Sequence, residues 1–451
     1  MSTAGPNPIL EYPPEPNDTC IIFSVSRRIA VIGTGYVGLT TGACLAHLGH
    51  QVVCADIDAN KISSLNSGAI PIVEQGLQEL VSAGLANGRL SFIVGSAEAA
   101  RSAEFSFLCL PTPQGEDGAA DLSYVQAAAN DISSALPFES IVINKSTVPV
   151  GSTKVVERAL KRPDIKVVSN PEFLREGSAV QDFLKPDRVV IGCDDQEAAL
   201  KVASLYEGLT TRVIITDPAS AETIKYAANA FLATKLSFIN AIAAICEGVG
   251  ADINDVVVGM GSDKRIGEQF LRPGPGWGGS CFPKDSRALI KIAEDAGYSF
   301  DLLTGVVRVN EQQLDRIATK VRRAVGGDLQ GKRVAVWGLT FKAGTDDLRD
   351  SPATAIVGRL LSAGADVVAY DPTVPVSRTG VPAGITLANS PEAATQGAEV
   401  LVVLTEWDEF KWVDPSVIAS AMNGRTVVDT RNLLDRTSWQ KSGFEHIGIG
   451  R

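Results

Sequence analysis

The sequence predicts an α/β chain: two doubly wound parallel-sheet units joined by a helical central domain with one long helix. Three observations carry this prediction. Arg28-Ile-Ala-Val-Ile is a short apolar strand pattern that runs into Gly33-Thr-Gly-Tyr-Val-Gly38, a helical pattern and a second strand ending at Asp56. The opening returns at Arg333-Val-Ala-Val-Trp-Gly338, with a second strand ending at Asp371. Between them, Ala219 to about Glu247 holds neither glycine nor proline, and apolar residues recur at helical spacing. At ~150 residues per domain, 451 residues allow roughly three domains. The expected boundaries are a Pro-rich, loosely attached leader over 1–26, a first sheet domain over 27–217, a helical domain over 218–325 and a second sheet domain over 326–451.

The first element is a strand, G-x-G-x-x-G, helix, strand, acid sequence, the Rossmann-like dinucleotide fingerprint. Gly33 makes the tight turn, Gly35 lets a pyrophosphate approach the backbone, and Gly38 allows close helix–strand packing, with Tyr36 and Val37 between them. Asp56 follows Gly33 by 23 residues, where a carboxylate accepts the ribose hydroxyls of NAD. Asp58 beside it would repel a 2′-phosphate, which favours NAD over NADP.

Further strands are expected at Phe105–Leu110, Ile141–Ile143, Val167–Val168, Arg188–Ile191 and Val213–Ile215. They end in polar or Pro-marked turns, and open parallel sheets bind ligands at the carboxyl ends of their strands. Thr147 and Glu172 lie in such turns and are candidates to meet nicotinamide and substrate. On the long helix, Lys225 and Asn229 are four residues apart and share a face. That face is either solvated or aimed at a site. Gly248 and Gly250 end the helix, which exceeds ordinary globular length and would bridge domains or subunits.

Arg272-Pro-Gly-Pro-Gly-Trp-Gly-Gly-Ser-Cys-Phe-Pro-Lys-Asp-Ser-Arg287 places one cysteine, Cys281, ahead of an apolar helical pattern. Pro283 suits the first turn of that helix. Backbone N–H groups and the helix dipole would lower a thiol pKa there, and Lys284 would act in the same direction. The glycines supply anion-binding N–H groups without side chains in the way. The stretch reads as a nucleophile beside a pocket for a phosphorylated ligand; the plain alternative is a glycine loop holding an inert cysteine. The second sheet unit has no counterparts of Gly35 and Gly38, so it can hold a nucleotide but not in the NAD manner.

Composition narrows the partners. The chain is 45% hydrophobic and 21% charged with net charge −11, which argues against nucleic acid and anionic membranes. No apolar run approaches the ~20 residues needed to span a bilayer. The leader lacks the basic start and apolar core of a signal peptide. Cys20, Cys44, Cys54, Cys109, Cys193, Cys246 and Cys281 are scattered without metal-ligand spacing, so no metal and no disulfide framework is expected. A cytoplasmic enzyme is the default expectation.

Six ordered motifs then match one family. They are Gly33-Thr-Gly-Tyr-Val-Gly38, Lys145-Ser-Thr-Val-Pro149, Asn170-Pro-Glu-Phe-Leu-Arg-Glu-Gly177, Lys225-Tyr-Ala-Ala-Asn-Ala-Phe231, Gly278-Gly-Ser-Cys-Phe-Pro-Lys-Asp285 and Phe341-Lys-Ala-Gly-Thr-Asp-Asp-Leu-Arg349. From about Arg28 to Asp435 the chain resembles the UDP-glucose/GDP-mannose dehydrogenase family, most nearly the branch that acts on UDP-glucose. The resemblance implies a four-electron oxidation: UDP-glucose, two NAD⁺ and water give UDP-glucuronate and two NADH. It implies that Cys281 traps the aldehyde as a thiohemiacetal that becomes a thioester. Lys225 and Asn229 would stabilise the oxyanion, Asp285 would order water, and Glu172, near Thr147, would move protons or serve hydrolysis. Cofactor positions map to Gly33 through Gly38, Asp56, Thr112, Thr147, Glu176 and Arg349. Substrate positions map to Glu172, Lys225, Asn229, Arg265, Arg272, Gly274, Gly276, Gly278, Phe341, Lys342 and Arg431. In relatives Arg265 reaches a neighbouring subunit's site, which implies a homodimer or larger homo-oligomer. The alternatives are the same chemistry on GDP-mannose or a UDP-N-acetylhexosamine, a two-electron hydroxyacid-type dehydrogenase, and a non-catalytic NAD sensor.

Overall fold

The computed structural model of the chain describes residues 9–11, 25–115, 120–378 and 380–451. Its strands are β1 (Ile9–Glu11), β2 (Arg28–Ile32), β3 (Gln51–Asp56), β4 (Leu90–Val94), β5 (Phe105–Leu108), β6 (Ile141–Asn144), β7 (Lys166–Ser169), β8 (Arg188–Gly192) and β9 (Arg212–Thr216). They continue with β10 (Arg333–Trp337), β11 (Asp366–Tyr370), β12 (Ile385–Leu387), β13 (Val400–Val403), β14 (Thr426–Asp429) and β15 (Glu445–Ile447). The chain divides into two compact units, Met1–Ala228 and Asn229–Arg451.

In the first unit the sheet order is β1-β9-β8-β7-β6-β5-β2-β3-β4. From β4 to β7 the strands are parallel and the order reverses between β2 and β5, the switch point at whose carboxyl ends ligands bind. Strand residues alternate between two cores. Ile29 and Val31 join the cluster on one face, Ala30 and Ile32 the cluster on the other. Burial on both faces is why these strands read as unbroken apolar runs.

Two features depart from expectation. β8 runs antiparallel to β7, so this sheet is not parallel throughout. The connecting residues 170–187 stay at the carboxyl edge of the sheet, so the chain re-enters from that edge instead of crossing back through a long helix. In addition, Ile9–Glu11, within the segment read as a loose leader, pair antiparallel with β9. The edge of β9 offers unpaired backbone groups, and three extended residues satisfy them. The rest of the leader before Val25 lies outside the described residues.

In the second unit the order is β12-β11-β10-β13-β14-β15, parallel throughout, again with a reversal beside the first strand of the unit. One face packs Val334, Val336 and Val402 against Ile239, Ala243, Ile253, Leu314 and Ile317. The helical residues after Asn229 therefore share a core with this sheet. On the other face Trp337 stacks on Phe410 at 5.1 Å and meets Trp439 edge-on at 6.0 Å.

The long helix is Pro218–Val249, 32 residues, close to the expected Ala219–Glu247, and Gly250 beyond it has φ +77°. By length and composition this helix is apolar enough to cross a membrane, contrary to the reading that no run approaches that length. Tyr226, Ala233, Ile239 and Ala243 on it are nevertheless buried within the chain.

Candidate active site

The first unit assembles the residues around its switch point. Gly33 has φ +95°, and a Cβ there would stand 2.4 Å from the Cys109 carbonyl oxygen. A Cβ on Gly38 would stand 1.9 Å from the Gly33 carbonyl oxygen. Both glycines are thus sterically required. Gly35 differs: a Cβ would meet nothing within 4 Å, and Gly35 caps the helix Tyr36–His47 without any side-chain hydrogen bond. Space in front of uncapped helix N–H groups fits a dinucleotide pyrophosphate.

Asp56 is more constrained than the sequence reading supposed. Its Oδ2 accepts from the Thr34 amide (3.0 Å), the Thr34 hydroxyl (2.6 Å) and Lys61 Nζ (3.0 Å), and its Oδ1 from the Asp58 amide (3.2 Å). Burial works to raise its pKa, but the Thr34 and Lys61 donors outweigh burial and hold the carboxyl well below the usual range. Oδ1 carries the fewer of these donors. Asp58 caps the helix Ala59–Asn66 through the Asn60 and Lys61 amides. Lys61 puts a cation beside the two acids, so the expected repulsion of a 2′-phosphate is weaker than charge counting along the sequence implied.

Thr112 and Thr147 come together as the Thr112 hydroxyl donates to the Thr147 carbonyl at 2.9 Å, both side chains buried. Glu172 is buried and paired: its Oε1 accepts from Lys225 Nζ at 2.9 Å and its Oε2 from the Leu174 amide at 2.6 Å. The Lys225 and Glu172 side chains are 4% and 5% exposed. Of the two readings of the Lys225 face, the solvated one therefore fails. Beneath them Lys145 Nζ donates to Asn170 Oδ1 (3.0 Å) and to the Tyr206 hydroxyl (3.2 Å). Burial pushes the Lys145 pKa down to about 8. Neither Tyr206 nor this supporting role of Lys145 was read from the sequence, since the partners are 25 and 61 residues away. Val37 packs against the core, and Glu176 is half-buried.

The second unit holds Cys281, the nucleophile expected from the sequence. Cys281 is the N-cap of the helix Phe282–Asp295, with Pro283 in its first turn. The Ser280 hydroxyl lies 3.6 Å from Cys281 Sγ. Asp285 is fully buried, its Oδ2 accepting from Asn229 Nδ2 at 2.6 Å and its Oδ1 from Lys284 Nζ at 2.7 Å. Lys284, expected to act on the thiol, also pairs with Asp285.

The glycine loop ahead of Cys281 is held by buried amides. Asn240 Oδ1 accepts from the Gly274 amide and Gln313 Nε2 donates to the Gly274 carbonyl, both at 2.8 Å. Asn310 bonds both the amide and the carbonyl of Trp277, each at 2.9 Å, and the Trp277 indole donates to the Ser237 hydroxyl at 2.8 Å. Gly276 has φ +134°, and a Cβ on Gly278 would stand 1.9 Å from the Asp350 carbonyl oxygen. Gly279, at φ +81°, lies against Phe341: a Cβ there would be 2.8–3.0 Å from three ring atoms. Arg431 donates to the Leu404 and Phe341 carbonyls (2.8 and 3.2 Å) and approaches Gly274. Lys342 sits over the Phe341 ring at 5.5 Å.

Three expected residues lie at the surface. Arg272 is exposed. Arg265 and Arg349 are exposed and fork onto Asp263 and Asp347 respectively. Among the described residues, no cluster of three or more His, Cys, Asp or Glu could hold a metal.

Comparison with known proteins shows the family. Three models of the UDP-glucose/GDP-mannose dehydrogenase family match in order: the NAD-binding domain over residues 27–210, the central domain over 219–312 and the UDP-binding domain over 335–436. The chain is 46% identical to UDP-glucose 6-dehydrogenase of Rhizobium meliloti, over 94% of this chain and 99% of that protein. It is 45% identical to the Pseudomonas aeruginosa UDP-glucose 6-dehydrogenase, over 94% and 97%. A solved UDP-glucose dehydrogenase from Pyrobaculum islandicum superimposes with a TM-score of 0.85 at 36% identity, covering 93% of this chain and 99% of that one.

Proposed function

Because the chain belongs to the UDP-glucose/GDP-mannose dehydrogenase family, we propose that it is an NAD-dependent UDP-glucose 6-dehydrogenase, oxidising UDP-glucose to UDP-glucuronate. Identities of 45–46% to proteins of that name support this substrate over GDP-mannose or a UDP-N-acetylhexosamine. The observation that carries the four-electron course is Cys281 on a helix N-cap, four residues before the buried, doubly bonded Asp285. A two-electron dehydrogenase needs no such nucleophile.

Gly33 to Gly38, Asp56, Thr112, Thr147 and Glu176 would hold NAD⁺, and the open space at Gly35 fits that role. Bound NAD⁺ supplies the hydride acceptor, two molecules per sugar. In the first oxidation the C6 hydroxyl gives its proton to a base, and the Lys225 ammonium stabilises the oxyanion that develops. With Lys225 already paired to Glu172, the carboxylate is the better proton acceptor of the two. The Cys281 thiolate then bonds to the aldehyde carbon, giving a thiohemiacetal whose oxidation leaves a thioester. Water attacks the thioester carbonyl, the C–S bond breaks, and Cys281 is restored. Asp285, oriented by Asn229 and Lys284, would direct that water. The balance is UDP-glucose, two NAD⁺ and water to UDP-glucuronate, two NADH and three protons.

The UDP half falls to Arg272, Gly274, Gly276, Gly278, Phe341, Lys342 and Arg431. Arg265 would serve a neighbouring copy, and Arg349 would approach the cofactor. A homodimer is supported by Phe231, Phe238, Ile245 and Val249, exposed apolar residues spaced 7, 7 and 4 along one face of the long helix. The protein would be cytoplasmic, with no nucleic-acid or membrane partner.

The test is NADH released per limiting sugar, with UDP-glucose, GDP-mannose and UDP-N-acetylglucosamine offered separately. Two equivalents from UDP-glucose alone are expected, and Cys281→Ser should form no acid while still binding NAD⁺. Two equivalents only from another sugar would reassign the substrate. Wild-type turnover by Cys281→Ser would remove the thioester.

A further inference from the structure

One buried carboxylate in the first unit is used by no step above. Glu74 lies between the helices Ala59–Asn66 and Leu77–Ala86. Its Oε1 accepts from the Ala179 amide at 2.8 Å, and its Oε2 from the Gly177 amide at 2.7 Å and from the Tyr36 hydroxyl. These donors belong to two separate segments. Tyr36 opens the helix Tyr36–His47, whose N-terminus follows the glycine turn. Gly177 follows Glu176 in the loop that begins with Glu172, and Ala179 opens the helix Ala179–Leu184 after it. The two segments also touch directly, since the Tyr36 hydroxyl lies 3.2 Å from the Arg175 carbonyl and 2.9 Å from the Gly177 amide. On its far side the loop is tied down by Asp182, which takes the Arg175 amide at 2.8 Å and pairs with the Arg175 guanidinium.

We propose that Glu74 is a positioning residue that couples the cofactor turn to the loop carrying Glu172 and Glu176. The proposal rests on the reading of Tyr36, Glu172 and Glu176 given above. The physical argument is one of over-determination. A carboxylate that accepts three bonds from two segments sets their separation, because moving either segment strips a donor from a buried anion. The backbone on both sides of Glu176 is clamped, through Arg175 and Gly177, while its side chain is half-buried. Glu74 thereby fixes where Glu176 stands relative to the first turn of the Tyr36–His47 helix, without touching the reacting atoms itself. Tyr36 is held with its proton: burial first, then the Glu74 carboxylate, raises its pKa far above the ordinary value.

Glu74→Gln preserves size but replaces one acceptor oxygen with an NH₂ that must face a donor. In the full-length enzyme, the KM for NAD⁺ is expected to rise about tenfold, equivalent to about 1.4 kcal/mol. The KM for UDP-glucose should stay at the wild-type value. A purely structural defect would lower the melting temperature without splitting the two KM values. Tyr36→Phe removes one of the three donors and should give a smaller rise, and the double variant should be no worse than Glu74→Gln alone. If Glu74→Gln does not fold, Tyr36→Phe decides the matter. A wild-type KM for NAD⁺ in whichever of these variants folds, or multiplying effects in the double, would overturn the coupling. Glu176→Ala distinguishes the two possible failures. A raised KM there with a wild-type KM in Glu74→Gln refutes only the coupling; a wild-type KM in Glu176→Ala refutes the placement of the loop at the cofactor, and the coupling with it.

Discussion

Replacing Lys225 with methionine separates the structural and chemical roles of the buried pair. At 2.9 Å and an effective dielectric of about 20, the attraction between Lys225 and Glu172 is ~6 kcal/mol. Desolvating two ions costs several kcal/mol each, so the intact pair contributes little net stability. Removing only the lysine is different. Glu172 would be left 5% exposed, with the Leu174 amide on its Oε2, and an uncompensated buried charge costs about 3–5 kcal/mol. Lys225→Met should therefore lower the urea midpoint strongly. Adding Glu172→Gln removes the stranded charge while keeping an acceptor for Leu174, and most of the stability should return. Activity should not return: kcat is expected to stay down by about 10²–10³ in both variants, the scale of losing one oxyanion donor. The measurements are urea unfolding and initial rates of NADH formation. A Lys225→Met protein as stable as wild type would show that the pair is hydrated in solution. A double variant with wild-type kcat would remove Lys225 from the chemistry.

Gly279→Ala should slow turnover about tenfold or more and lower the melting temperature, because φ +81° strains a non-glycine residue by ~1 kcal/mol or more and its Cβ would press on the Phe341 ring. Wild-type kcat and melting temperature would show that the ring yields freely. Lys145 sets a pH dependence whose sign follows from its depressed pKa, about 8 when folded against an ordinary lysine value of 10.5. Between those values the unfolded chain binds more protons, so this group makes the protein gain stability as pH rises, by about 3 kcal/mol in all. Lys145→Met should lack that gain. Stability curves for the two proteins that run parallel from pH 8 to 10.5 would refute the burial argument.

The sequence alone determined the features that local physics dictates. Gly33 and Gly38 are legible because a positive φ at Gly33 and carbonyl contacts at 2.4 and 1.9 Å at the two positions admit only glycine. The Pro218–Val249 helix is legible because apolar spacing without glycine or proline leaves little else for the chain to do. Both sheet units show in β-branched runs separated by turns, and Cys281 shows in the density of glycine and proline around it. Other features form only when distant segments meet. Asn240 and Gln313 hold Gly274 across 34 and 39 residues; Glu74 reaches Gly177 and Ala179 across 103 and 105. Lys61 is not legible beside Asp56 because a lysine five residues on reads as surface charge until the turn folds it back. The reversal of β8 likewise follows from the 170–187 loop staying at one edge of the sheet, which no periodicity records. Periodic patterns specify elements because the forces involved act within a few residues. The partners of buried polar groups are selected by tertiary packing, since a carboxylate or amide has no preferred donor until desolvation forces it to find one.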